Sequence, residues 1–551
     1  MRRLFLFLAG MMLATATSLA CTNFLVGKKA SSDGSVFITY NADSYGMYGK
    51  LVYLPHAKHA PGEMRKIYDG DTNHYYGEIP EVSETYAVMG YINEHQLAIM
   101  ETTFGGREEL VDPNGKIDYV SLMRLGLQRA KTAREAIQVM TKLVDDYGYA
   151  SEGESFSIAD PNEVWIMEMV GKGAGQRGAH WVAVRIPDDA IACHANHSRI
   201  HRFSHYPKGD VLCSEGIVDF ARQKGYFQGK DADFDFSAAF APADFGAIRY
   251  CETRVWSFYN RFVEGMDKYL KYADGRHMNE PDVEPMPLYM KPKRKLSLAD
   301  MRDGMRDHYE GTPFDVQKDC GMGSGEMPYR PTPLEYEYNG RKYFNERPIS
   351  TQQTADTYIA QLRSWMPDCV GGVLWYGQDD PNMIVYVPIY CQNTSVPECF
   401  DAPDADATHF SEKSAFWVCN WVSNMVYPRY NVLFPELLKE RNSLEGLFGL
   451  YQTHIEEDAL SIFKKKSAEE ARRYLTAYSN GCAEKMHEKW LALARRLIVR
   501  YNDMTIKPVD EKGEYVMTED GLPVAPKRPG YSESYRKKIV EEAGDRYLLP
   551  E

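Results

Sequence analysis

The start of this chain constrains its fold and chemistry most, because it places a cysteine directly after an export signal. Two arginines open the segment, an apolar run follows, and small residues lead up to Ala20. These three parts are typical of a cleavable signal peptide. Ser18 and Ala20 stand three residues and one residue before the expected cut. We therefore predict a signal peptide over residues 1–20 and a mature, exported chain that begins at Cys21, in the periplasm or outside the cell.

An N-terminal Cys21 has two interpretations. Its thiol and its free α-amine would supply a nucleophile and a base from one residue. Alternatively, Cys21 is the lipid anchor of a surface lipoprotein, and an alkylated thiol cannot attack a substrate. Lipoprotein signals usually carry Leu, Val or Ile where this chain has Ser18. The signal favours the free thiol and leaves the anchor open.

Composition excludes several classes of protein. The chain has 551 residues, of which 44% are hydrophobic and 13% aromatic, which suits a packed globular protein. Its formal charge of −14 argues against a nucleic-acid partner, which would require a basic surface. After the signal, no apolar run is long enough for a transmembrane segment. None of the ten cysteines forms a C-x2-C pair, so a structural zinc site is not expected.

The residues after Cys21 predict a β-hairpin. A short strand runs over Cys21–Gly27, an Asp-Gly turn lies within Ser31–Gly34, and a β-branched strand covers Ser35–Tyr40. A hairpin folds its far end back beside its start. We therefore expect Asp43, just beyond the second strand, to approach Cys21, where a carboxylate could hold and tune the α-amine.

The rest of the chain mixes strands and helices, which predicts an α+β layered fold. A strand pair is expected at 86–90 and 96–102, and a helical region over 120–147. Residues 411–501 are expected to be mostly helical, with breaks at Pro428 and near Asn480-Gly481. Residues 503–551 are polar and predicted to form a surface tail.

Two asparagines are candidates for stabilising an oxyanion. Asn93 and Asn196 both lie at strand ends, and an amide NH2 donates hydrogen bonds without titrating. Asparagine at such positions is also a common turn former, so chemistry alone leaves both roles open.

Several stretches together resemble the cysteine dipeptidase A family of N-terminal-nucleophile hydrolases, relatives of the secernins. The similarity runs from Cys21 to about Asn502. The stretches that carry it are Cys21–Ser35, Asn41–Ser44, Ile92–Glu94, Glu101–Gly106, His194–Ile200, Met301–Phe314, Arg347–Gln353 and Arg363–Trp375. The resemblance rests on their order and reach, since no single motif decides it.

The resemblance implies an αββα sandwich in which residues 21–502 form the catalytic domain with a helical elaboration. By position, it makes Cys21 the nucleophile, Asp43 the carboxylate beside it, and Asn93 and Asn196 the oxyanion residues. The resemblance also aligns Arg254, loosely, with an active-site arginine of related acylases, which implies a substrate-binding role. Tyr40 departs from the family, which commonly has arginine there, so any cationic support for the thiolate must come from elsewhere.

The function expected from this resemblance is hydrolysis of dipeptides through a thioester, without metal or cofactor and with a small peptide as the only expected ligand. Two alternatives stay open. One is an N-acyl amide hydrolase of the penicillin acylase or bile-salt hydrolase type. The other is the non-catalytic lipoprotein anchored through Cys21. The oligomeric state is not determined by the sequence, and a homo-oligomer is compatible with it.

Overall fold

The structure is a computed structural model that describes residues 21–550. The predicted signal peptide therefore lies outside the described residues. The prediction of an α+β fold is confirmed, because strands and helices both contribute to the core of the described chain.

The strands are numbered in chain order. They are β1 (Asn23–Val26), β2 (Val36–Asp43), β3 (Tyr53–Leu54), β4 (Ala57–Lys58), β5 (Met64–Tyr68), β6 (Tyr75–Pro80), β7 (Glu84–Thr85), β8 (Val88–Met89), β9 (Ile92–Asn93), β10 (Ala98–Gly105), β11 (Gly153–Ala159), β12 (Val164–Gly171), β13 (Ala179–Ile186), β14 (Ile191–His194), β15 (Val211–Cys213), β16 (Tyr289–Met290), β17 (Glu335–Tyr338), β18 (Arg341–Phe344), β19 (Thr354–Leu362), β20 (Val373–Gln378) and β21 (Val387–Tyr390).

The α-helices follow the same order. They are α1 (Tyr119–Arg129), α2 (Ala133–Tyr147), α3 (Ile217–Gln223), α4 (Phe236–Phe240), α5 (Thr253–Phe262), α6 (Leu270–Ala273), α7 (Leu298–Met305), α8 (Asp368–Gly371), α9 (Ala415–Val426), α10 (Tyr430–Lys465), α11 (Ala468–Tyr501) and α12 (Glu533–Ala543). A π-helical turn, Ala247–Glu252, leads directly into α5.

Two antiparallel sheets form the centre of the fold. Sheet I has the strand order β16-β14-β1-β2-β19-β20-β21, and sheet II has the order β15-β13-β12-β11-β10-β9-β8-β3. The predicted hairpin is present in sheet I, where Leu25 pairs with Ile38 and Val26 with Phe37. β1 and β2 contact β10 and β11, so the two sheets pack against each other at the start of the described chain.

Helices cover the other side of each sheet. Apolar residues of α1 and α2, such as Leu122 and Met140, share a buried cluster with Phe156 of sheet II. On sheet I, Phe258 of α5 stacks on Phe24 with ring centroids 4.0 Å apart, and α9, α10 and α11 pack over β20 and β21. Each sheet thereby buries both of its faces.

Three local predictions differ from the structure. The helix expected over 120–147 is two helices, because the chain turns at Ala130 and Thr132 begins α2 as its N-cap. The strand expected at 86–90 is only β8, and β9 intervenes before β10. Pro428 does separate α9 from α10. The second break lies at Lys466 and Ser467, and the expected break site at Asn480-Gly481 is continuous α11, because packing along α10 outweighs the low helix propensity of Asn and Gly.

The C-terminal segment is mostly exposed but makes specific contacts. Its helix α12 begins at the N-cap Ser532, whose hydroxyl donates a 2.6 Å hydrogen bond to Glu326. Lys538 reaches the carbonyl of Lys318 at 3.0 Å. None of the helices within residues 21–550 combines the length and the apolar character needed to cross a lipid bilayer.

Candidate active site

Cys21 lies at the entrance of β1, in the middle of sheet I. The next residue, Thr22, pairs with Asn41 of β2 through two main-chain hydrogen bonds of 3.4 and 3.1 Å. Cys21 is only 2% exposed. Its Sγ lies 3.7 Å from the hydroxyl of Tyr40 and 3.6 Å from Oε1 of Glu101. The hairpin and the facing sheet therefore enclose the sulfur between polar groups.

Asp43 ends β2 beside Cys21, as the hairpin predicted. Its main-chain amide interacts with the thiol. One carboxylate oxygen accepts a 2.7 Å hydrogen bond from Arg347, and the other accepts a 2.6 Å hydrogen bond from Thr354. Burial raises the pKa of Asp43 to about 6, although Arg347 and Thr354 oppose that shift. Asp43 is thus ionised at neutral pH and held in one orientation.

Arg254 is a fully buried cation on α5, and it binds the main chain at Cys21. Its guanidinium donates to the carbonyl of Cys21 at 2.6 Å and to the hydroxyl of Thr22 at 2.7 Å. It also donates to the carbonyl of Ala195 and to Oδ1 of Asn196, both at 3.0 Å. Its Nε–H donates to the carbonyl of Tyr250 at 2.7 Å. These contacts use all five N–H groups, so Arg254 is a positioning residue for Cys21 and Asn196.

Asn196 follows β14 and is brought to the same place. Its backbone is in the left-handed region, with φ of 61°, a conformation that asparagine tolerates better than most residues. Its Oδ1 accepts from Arg254, and its Nδ2 donates to the carbonyl of Thr103 at 2.7 Å. Asn196 is partly exposed, so its amide is fixed beside the Cys21 main chain at the solvent side of the site.

Asn93 occupies a different position. Its Nδ2 donates to the carbonyls of Leu127 and Ala130, at 2.7 and 2.8 Å. Its Oδ1 accepts from the main-chain amides of His95 and Leu97. Asn93 therefore satisfies the C-terminal carbonyls of α1, which explains the turn between α1 and α2. Both of its amide hydrogens are used there, so the oxyanion site proposed below does not include Asn93.

A second buried group beside the thiol is an acidic pair, Glu101 and Glu154, for which the sequence predicted no role. Tyr40 donates a 2.5 Å hydrogen bond to Oε1 of Glu101 on β10. Glu154 on β11 interacts with Glu101, and its Oε1 accepts from Thr103 at 2.7 Å. The tyrosine that replaces the expected arginine thus contacts a carboxylate. The sequence does hold a signal for it, since Glu101 is the one charged residue in an otherwise uncharged strand, Ala98–Gly105.

These surroundings determine the protonation of the thiol. Burial raises the pKa of Cys21 well above its ordinary value, and the negative charges of Glu101 and Asp43 raise it further. The Asp43 amide and the Tyr40 hydroxyl act in the opposite direction. The thiol is therefore protonated at neutral pH, and its use as a nucleophile requires a base in direct contact.

His194 links the two sheets next to this site. Its Nδ1 is 2.7 Å from the hydroxyl of Thr102, and its Nε2 is 2.7 Å from the hydroxyl of Ser157. Burial lowers the pKa of His194 to about 3, so the ring is neutral. Both ring nitrogens are occupied by hydroxyl groups, which gives His194 a structural role in holding β14 against β10 and β11.

The sequence of this chain is similar to those of several known peptidases. Residues 20–441 match peptidase family C69. A probable dipeptidase of Latilactobacillus sakei is 28% identical over 428 residues, which cover 75% of this chain and 82% of that protein. A probable dipeptidase of Salmonella dublin is 26% identical over 391 residues, 68% of this chain and 81% of the relative. Dipeptidase A of Lactobacillus helveticus is 25% identical over 509 residues, 87% of this chain and 96% of the relative. The family match spans well over half of the sequence and includes Cys21, and the chain therefore belongs to peptidase family C69.

Proposed function

We propose that this protein is a cysteine-type dipeptidase whose nucleophile is the thiol of Cys21. The observation that carries the proposal is the position of that thiol. It is fixed at the start of a central strand against the amide of Asp43, on a residue whose carbonyl shares the donor Arg254 with Asn196, in a chain whose relatives are named dipeptidases. The substrate is a dipeptide, and the reaction hydrolyses its single amide bond.

The proposed base is the α-amine of Cys21, freed by removal of residues 1–20. The amine takes the thiol proton while sulfur attacks the amide carbon and forms the S–C bond. It then gives this proton to the leaving nitrogen, and the C–N bond breaks. Water hydrolyses the thioester, which releases the acid and restores the thiol. Because burial keeps the thiol protonated, the attack requires a base, and the α-amine of the same residue can accept the thiol proton.

The oxyanion of the tetrahedral intermediate is proposed to bind at Asn196, together with main-chain amides. Asn196 is already oriented by Arg254 and by the carbonyl of Thr103. A donor that is fixed before the reaction stabilises developing charge without reorganisation. Asp43, ionised and oriented by Arg347, is proposed to hold the α-amine of Cys21.

Two further proposals concern the whole chain. The packing of two sheets between helices supports an N-terminal-nucleophile hydrolase fold of the αββα type. The sequence pattern of residues 1–20 supports export and cleavage after Ala20, because only that cut gives Cys21 a free amine.

Substitution of the nucleophile tests the proposed function. Cys21→Ala and Cys21→Ser are expected to lower kcat on a dipeptide panel by at least about 10⁴-fold, since no other group can form the thioester. Cys320→Ser is the matched control, because Cys320 is an exposed free thiol. A Cys21→Ala protein with full activity would contradict the mechanism. The intact mass of the exported protein distinguishes a free Cys21 from a lipid-modified one.

A further inference from the structure

We propose that Glu101 binds the α-ammonium group of the substrate and thereby restricts the enzyme to peptides with a free N-terminus. This inference rests on the proposed function and names the residue that selects its substrate class. It assigns Glu101 as a specificity-determining residue in direct contact with the dipeptide.

The charge of Glu101 has no Lys, Arg or His partner in the described part of the chain. Among residues 21–550, neither Glu101 nor Glu154 lies within 4.0 Å of a Lys, Arg or His nitrogen. Their Oε2 atoms are both buried, and apart from the proton that the two carboxyl groups share, no group of those residues donates a hydrogen bond to them. Glu101 is 1% exposed. An uncompensated buried carboxylate is costly, and a cationic ligand would remove that cost.

The protonation of the pair supports a single negative charge on Glu101. Burial raises the pKa of Glu154 well above its ordinary value, and the charge of Glu101 raises it further, so Glu154 holds its proton more tightly than Glu101 does. Burial also raises the pKa of Glu101, to about 6, while hydrogen bonds from Glu154 and Tyr40 oppose the shift. Tyr40 and Glu154 are neutral donors, so they orient the Glu101 carboxylate without cancelling its charge.

The geometry of a dipeptide allows its ammonium group to reach this carboxylate. The α-nitrogen is two bonds, about 2.5 Å, from the scissile carbonyl carbon. That carbon must come within about 3.5 Å of the attacking sulfur. The ammonium group therefore lies within roughly 6 Å of Sγ in the reactive complex, and Oε1 of Glu101 lies 3.6 Å from Sγ. A tripeptide cut at its second bond would place a neutral amide there instead, and an acyl group such as propionyl would place no nitrogen there.

The first part of the test uses the wild-type enzyme with alanylalanine and propionyl-alanine. The second compound has the same length but lacks the amino group. We expect kcat/KM for alanylalanine to exceed that for propionyl-alanine by at least about a hundredfold. Propionyl-alanine cannot form the charged hydrogen bond, and it leaves the desolvated Glu101 carboxylate without a cation. If turnover of propionyl-alanine is too slow to follow, its Ki as a competitive inhibitor is compared with the KM of alanylalanine.

The second part uses Glu101→Gln, which keeps the size and the acceptor for Tyr40 but removes the charge. The preference for alanylalanine is expected to fall at least about tenfold. Glu154→Gln is the matched control: it makes the same change in the neighbouring residue and leaves the Glu101 carboxylate in place. Its preference should stay within about threefold of wild type.

The outcomes separate this inference from the proposed function. A wild-type enzyme that cleaves no dipeptide would overturn both. An active wild type that accepts propionyl-alanine as well as alanylalanine overturns the inference alone, and this result does not depend on whether any variant folds. Equal loss on both substrates in Glu101→Gln also overturns it, because it would mean that Glu101 acts on the α-amine or thiol of Cys21.

Discussion

Two buried charges lie on either side of Cys21, and they differ in how completely the protein satisfies them. Arg254 has no carboxylate partner within 4.0 Å among the described residues, yet all five of its N–H groups donate to carbonyl, hydroxyl or amide oxygens. Glu101 also lacks an ion pair there, and its Oε2 accepts nothing except through the shared proton of Glu154. The difference indicates that one charge is built into the fold and the other is kept for a ligand.

The largest effect on stability is expected from replacing Arg254. Arg254→Leu removes the donor to the buried carbonyls of Cys21 and Ala195, so we expect the free energy of unfolding to fall by about 3–5 kcal/mol and activity to be lost. Chemical denaturation measures the first quantity. Arg294→Leu is the control, because Arg294 is half-exposed and its ion pair is with Asp300 at the surface. The cost of this substitution should stay below about 1 kcal/mol. Similar costs for the two variants would contradict the role given to Arg254.

Replacing Glu101, by contrast, is expected to stabilise the folded protein at alkaline pH. The pKa of Glu101 is raised from 4.5 to about 6, so the folded state holds this proton more tightly than the unfolded state does. The stability that comes from this proton is complete below about pH 4.5 and is lost as the pH rises through about 6. Glu101→Gln should therefore be more stable than wild type at pH 8, by on the order of 1–2 kcal/mol, and equal to it near pH 4.5.

Thermal or chemical unfolding at the two pH values checks this expectation. Glu108→Gln, at an exposed site in the loop after β10, should change stability by less than about 0.5 kcal/mol at both. A Glu101→Gln protein that is less stable at pH 8 would show that the carboxylate is satisfied within the fold, and the contrast with Arg254 would disappear.

The smallest effect concerns the hydroxyl of Tyr40. In wild type, the preference for alanylalanine over propionyl-alanine should fall as the pH is lowered through about 6, because Glu101 becomes neutral. The groups that act on Glu101 are Tyr40, Cys21, Glu154 and Asp71. Tyr40→Phe removes a hydrogen bond that lowers the pKa of Glu101. The pH at which half of the substrate preference is lost should therefore rise by about one unit. An unchanged midpoint would show that the Tyr40 hydroxyl does not affect the ionisation of Glu101.

The sequence predicts the parts of this site that depend on local structure. The hairpin follows from the Asp-Gly turn and two β-branched strands, and it correctly brings Asp43 beside Cys21. Chemistry and a strand-end position suggest Asn196 but leave its role open, and Arg254 enters only through the resemblance to a family. Their contact joins segments more than 50 residues apart.

The acidic pair shows why other parts were missed. Glu101 meets the thiol only because β10 of sheet II packs against sheet I, and no local pattern specifies how two sheets align. Asn93 shows how one position can suit two roles, since an asparagine at a strand end can cap a helix as well as stabilise an oxyanion. Side-chain chemistry suggested candidates, and long-range packing decided which of them meet.

The way Cys21 is held has a consequence for the motion of the proposed nucleophile. Chain termini usually fray, but a chain beginning at Cys21 would begin inside a sheet, with its first carbonyl bound by Arg254 and its second residue paired to Asn41. The sulfur would then reach its target by turning about one bond, Cα–Cβ, whose staggered positions are few. Most of the search for a reactive geometry would be completed when the protein folds.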